Sequence, residues 1–143
     1  MTMHSKWSLY LHKQTFHAAV KKQEEKNYEL LAALYLLTAD EKVWNCAKDK
    51  VRKGQIFFDE IRLGSVSEES YCLYAAAKDI YLGTGTIRLR DLGKRNMMNQ
   101  TVYAQVLTAV SICRFGLAVI RIGETNEKRH PKAARAVSKG KQS

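Results

Sequence analysis

The ten residues YELLAALYLL, 28–37, constrain this chain more than any other stretch. They are apolar almost all round, made of strong helix formers, and free of glycine, proline and β-branched residues. A helix of that composition has no polar face to offer water, so it belongs in the centre of a packed body with other helices around it.

The flanking sequence supplies those helices. From Ser5 to Asn27, the residues Trp7, Tyr10, Leu11, Phe16, Ala19 and Val20 recur at near-helical spacing, with Thr15 as a point where one helix can become two. The charged run KKQEEKN reads as the solvated end of this segment. Thr38-Ala39-Asp40-Glu41 fits a capping box, in which Thr38 and Glu41 satisfy each other's backbone N–H. The helix it opens carries Val43, Trp44, Ala47 and Val51 on one stripe, Lys48, Arg52 and Lys53 on its polar face, and Gly54 as its stop. QIFFDEIRL, 55–63, is too short for periodicity to decide between strand and helix. Ser65 or Ser67 caps a helix through EESYCLYAAAKDIYL that ends at Gly83, with Glu68 and Glu69 suited to its positive end. A short strand at Thr86–Leu89 is expected to pair with a second over residues 117–122. Between them, QTVYAQVLTAVSICRF forms a long helix closed by Gly116. The fold class is therefore mainly α, a bundle of about five helices with at most one small two-stranded β element.

The chain carries 24 basic and 14 acidic residues, a net charge of +10. Half of that excess lies in residues 121–143, one sixth of the length. The expected organisation is a helical domain over 1–123 and a basic tail over 124–143, disordered or partly helical on binding. Positive excess draws polyanions: nucleic acid, acidic lipid or an acidic protein face. No window reaches the roughly 18 apolar residues of a membrane span, and the N-terminus lacks the long apolar core of a secretory signal. Cys46, Cys72 and Cys113 are odd in number and widely spaced, which points to buried, reduced thiols and a cytoplasmic location.

Catalytic chemistry finds little footing. His12 and His17 are five apart and share no helix face, no cysteine lies near either, and they read as exposed or half-buried helix residues. No G-x-S-x-G, phosphate loop or dinucleotide fingerprint occurs. Asp59-Glu60 and Glu68-Glu69 are adjacent pairs whose side chains diverge. No enzyme activity, metal or cofactor is expected.

Binding has two candidate sources. GTIRLRDLGKRNMMNQTVYAQVL follows the rhythm of a winged helix, in which Gln100 and Gln105 would read adenine edges while Arg88, Arg90, Lys94 and Arg95 grip phosphates. Val102, Tyr103, Val106, Leu107, Ala109, Val110, Ile112 and Cys113 count against it. They leave only a thin polar face of Ala104, Gln105, Thr108 and Ser111, which favours a buried structural helix. The tail is the second source: Lys128, Arg129, Lys132, Arg135, Lys139 and Lys141 can neutralise phosphates in a salt-dependent, sequence-blind manner. It has no interleaved aromatic residue, so stacking on single strands is not indicated there.

At YELLAALYLLTAD (28–40), YCLYAAAKDIYLGT (71–84) and RFGLAVI (114–120), the chain resembles a family of small uncharacterised proteins of Gram-positive gut bacteria, their phages and conjugative elements. The resemblance covers roughly residues 16–120. It rests on core residues and caps, and it implies the context of a mobile-element accessory protein without assigning any catalytic residue. The function expected from all of this is binding without catalysis, to nucleic acid or a nucleoprotein. The alternative is an anti-defence inhibitor, similar in role to anti-CRISPR proteins, that binds a host effector protein.

Overall fold

A computed structural model of the chain describes residues 9–24, 26–96 and 98–120. Six α-helices lie wholly within them: α1 (Leu9–Val20), α2 (Tyr28–Leu37), α3 (Glu41–Ala47), α4 (Glu68–Leu82), α5 (Leu89–Leu92) and α6 (Gln100–Phe115). One antiparallel hairpin, β1 (Val51–Arg52) and β2 (Gln55–Ile56), follows α3. The architecture is mainly α with one small two-stranded sheet, as the sequence implies.

The apolar helix α2 is the hub. Leu30, Leu31, Leu34, Leu36 and Leu37 are fully buried, and α1, α3, α4 and α6 all pack against it. Each partner contributes one apolar row at helical spacing: Phe16 and Val20 from α1, Val43 and Ala47 from α3, Leu73, Ala76 and Ala77 from α4, and Val102, Val106, Ala109 and Ile112 from α6. Burial of such rows is the main favourable term holding the domain together. α1 runs through Thr15 as a single helix.

Several local expectations change. Thr38 does not open α3. It closes α2, fully buried, with its hydroxyl donating to the Leu34 carbonyl at 2.7 Å. Asp40 is the N-cap of α3, and its carboxylate accepts the Val43 N–H at 3.1 Å. α3 ends at Ala47, so Val51 leaves the expected stripe and Arg52 the expected polar face, and they pair with Ile56 and Gln55 across the hairpin. Lys53 and Gly54 both take positive φ, 57° and 73°, the turn geometry whose twist matches a two-residue hairpin. Gly54 is therefore a hairpin residue and not a helix stop. Arg52 braces the hairpin by donating to both carboxylate oxygens of Glu60, each at 3.1 Å, with its guanidinium 4.4 Å from the Phe57 ring.

The expected strand pair is absent from the described residues. Thr86 and Ile87 donate their N–H groups to the carboxylate of Asp79, at 2.8 and 2.6 Å, and the Thr84 hydroxyl donates to the same group. Those N–H groups would have been the donors of a β ladder. Residues 117–120 form helical turns instead of a strand, with Val119 and Ile120 N–H donating to the carbonyls of Gly116 and Leu117. Residues 121–122 lie outside the description. Without that sheet, the winged-helix arrangement does not form.

Candidate polyanion groove

In α1, the buried row His12, Phe16, Val20 is followed one residue later by the row Lys13, His17, Lys21. One residue is a rotation of about 100° on a helix, so the second row borders the first and faces outward. α3 repeats the arrangement: Val43 and Ala47 enter the core, while Trp44 and Lys48 lie one residue on. The two outward rows line one groove of about 1010 Å³. Its positive charge comes from Lys13, Lys21, Lys22 and Lys48, and His17 adds an imidazole. Asp49 is the one carboxylate among its lining residues. Two aromatic residues share the wall, half-buried Trp44 and Tyr10, which is 66% exposed. The Tyr10 hydroxyl accepts from the Gln14 side-chain N–H at 2.9 Å, one turn further along α1.

The basic cluster expected at 88–95 has a different setting. Arg88, Arg90, Lys94 and Arg95 are all exposed, but Asp91 sits among them and accepts the Arg88 N–H at 2.9 Å. A mainly apolar cleft of about 550 Å³ beside α5 is bordered by Glu68 and Asp91 and by none of the four cations. Arg95 alone reaches the small adjoining cleft, where Glu68 and Glu69 stand beside it. In these two clefts, then, Arg95 is the one cation of the cluster present, and it stands beside two glutamates. Lys128, Arg129, Lys132, Arg135, Lys139 and Lys141 lie outside the described residues.

α6 is structural along its buried row. Gln100 is exposed at its first residue and Gln105 is half-buried. Of the thin polar face expected at Ala104, Gln105, Thr108 and Ser111, only Ala104 is exposed, and the other three are half-buried. The exposed stripe instead contains Tyr103, Leu107 and Val110, with Leu107 40% exposed.

The settings of the cysteines and of His12 differ from those expected. The three cysteines are half-buried, less deeply than the sequence suggests, and unpaired with one another. Burial pushes the Cys72 thiol up, and Glu68, Glu69 and Asp91 push it further. Burial and Glu29 do the same to Cys113. His12 departs from the expected exposed or half-buried setting. It is 2% exposed, and its ring nitrogen Nε2 is 2.8 Å from the Tyr35 carbonyl.

No family model matches the chain, and neither a curated protein nor a solved structure does. The row Lys13, His17, Lys21 was visible in the sequence at i, i+4, i+8 spacing. Nothing in the sequence shows that the Trp44–Lys48 row lies opposite it.

Proposed function

We propose that this protein works by binding nucleic acid or a nucleoprotein, without catalysis, and that the α1–α3 groove is its principal contact surface. The observation that carries the reading is the gathering of four lysines, from α1, the turn after it and the end of α3, into one concavity with one carboxylate among its described lining residues. Neutralising phosphates with lysines releases condensed counterions, the dominant source of affinity for sequence-independent binders. The exposed cations Arg88, Arg90, Lys94 and Arg95 add positive surface outside the groove, and the sequence carries further lysine and arginine over 124–143. The raised cysteine thiols and the engaged His12 support a non-catalytic role.

Fluorescence anisotropy with labelled DNA and RNA tests this on the full chain. Lys13→Glu, Lys21→Glu and Lys48→Glu combined should weaken binding about ten-fold or more at fixed salt. Unchanged affinity in that variant, with loss of binding on removal of residues 124–143, would move the contact to the tail.

A second reading is a mobile-element or phage inhibitor that occupies a host effector protein. The exposed stripe Tyr103, Leu107 and Val110 favours it, because an apolar row almost free of charge suits a protein partner better than a phosphate backbone. A stoichiometric complex captured from nuclease-treated host lysate, and lost in Leu107→Lys, would support this reading over the first.

A further inference from the structure

We infer that the ligand of the α1–α3 groove is single-stranded nucleic acid, with Tyr10 and Trp44 as stacking platforms for unpaired bases. This rests on the polyanion reading above and adds the class of strand. Lysines alone would serve a duplex equally well, since a duplex presents its phosphates outward and keeps its base faces stacked away. Trp44 packs partly against the core. The part of it that borders the groove, with the exposed ring of Tyr10, offers aromatic surface that a nucleic acid can use only where its base faces are open.

Each ring has one restraining contact: the core behind Trp44, and for Tyr10 a surface hydrogen bond from Gln14. Trp44 follows Val43 and precedes Ala47 by three residues, so its helix face is anchored by the core while the indole borders the groove. The hydroxyl of Tyr10 is fixed by Gln14, which orients a ring that is otherwise 66% exposed. A platform already ordered before binding loses little side-chain entropy when a base lands on it. The cations suit a linear polymer, because Lys13 and Lys21 lie two turns apart, about 12 Å along the helix axis. Base faces are common to DNA and RNA, so the shared chemistry is the unpaired strand, and the two sugars become separate arms of the test.

The experiment uses the full chain carrying Trp7→Phe, which leaves Trp44 as the single indole. The probes are oligothymidylate, oligouridylate and a DNA duplex, each of about 20 nucleotides per strand, long enough to cover one single-strand site. The expected result is tighter binding of one or both single strands than of the duplex. Trp44 emission should be quenched at saturation, and Tyr10→Ala should weaken single-strand binding about ten-fold while leaving duplex binding in place. Equal affinity for duplex and single strands, with Trp44 emission unchanged and Tyr10→Ala without effect, overturns the stacking inference and leaves the groove reading standing. Failure of the full chain to bind any of the three polymers overturns both. Trp44 is read without being substituted and Tyr10 is exposed, so neither result depends on a variant that fails to fold.

Discussion

His12 on α1 donates a hydrogen bond from Nε2 to the main-chain carbonyl of Tyr35 on α2, at 2.8 Å. A carbonyl can only accept, so Nε2 carries the proton. The two rings also lie 4.5 Å apart, and Phe16 meets Tyr35 edge-on at 5.3 Å. This is how α1, and with it the Lys13 row, is fixed to the hub helix. Burial lowers the pKa of His12; the bond to Tyr35 opposes that shift and Lys13 adds to it.

The sign of the resulting pH dependence follows. Above about pH 6.5 the imidazole is neutral in folded and unfolded chains alike. Below that value the unfolded chain binds a proton that the folded chain resists, so stability falls as pH drops toward the lowered folded value. Urea midpoints measured from pH 7 to pH 5 should decline. His12→Gln, which retains a donor but does not titrate, should flatten that decline. An identical decline in the variant would remove His12 from the account.

Asp79 closes the loop after α4 by accepting from Thr84, Thr86 and Ile87. Burial, the largest single effect, pushes its carboxyl up, but the bonds from Thr84, Ile87 and Thr86 together hold it below the ordinary aspartate value. Its contribution to stability is present above the unfolded value of about 3.9 and is lost as pH falls through the lower folded value. Asp79→Ala should cost about 1–2 kcal/mol, allowing for partial exposure. The amides of Thr86 and Ile87 should also lose protection in hydrogen exchange, whereas slow exchange at both in the variant would contradict the role given to the carboxylate.

Gly116 ends α6 with φ 81° and ψ −164°, a conformation essentially reserved for glycine. A Cβ there would meet Tyr28 ring carbons at 2.8 Å. Gly116→Ala should destabilise the domain by about 1–3 kcal/mol from the backbone alone, with the ring clash in addition. Tyr28→Ala in the same chain should recover the clash but not the backbone cost. A double-mutant cycle in thermal unfolding measures that partial rescue, and full additivity would show that the ring moves aside freely.

The groove makes a prediction in salt. Four lysines on a single strand give a slope of log K against log salt of about −3. Lys21→Gln with Lys48→Gln should bring the slope to about half that value. A slope unchanged by these two substitutions would place the phosphates elsewhere on the protein.

Much of the fold was legible because its signals are local. The composition of 28–37 dictates a buried hub helix, and the apolar content of 102–113 marks α6 as a structural helix without showing which of its apolar sides is buried. Ser67, Asn99, Gly83 and Gly116 mark helix ends through chemistry confined to a few residues. Misreadings arose where a residue's partner is distant or where neighbours compete for one role. Thr38 and Asp40 both make good N-caps, and burial of Thr38 under α2 settles the matter. Thr86 and Ile87 have the composition of a strand, and the Asp79 carboxylate takes their N–H groups first. His12 resembles any exposed helix histidine until the Tyr35 carbonyl is seen beside it.

The amino-acid order alone determined that the chain is mainly helical and which helix is innermost, because composition and capping act within a turn or two; which apolar side of α6 is buried was decided by packing. Packing decided which outward rows face one another. The Lys13–His17–Lys21 row and the Trp44–Lys48 row are separated by the whole of α2 in sequence. They come to share a groove because α1 and α3 both bury their apolar rows against that helix. The surroundings of each charge were settled in the same way: Arg95 shares a cleft with Glu68 and Glu69, while among the described residues the groove lysines share theirs with Asp49.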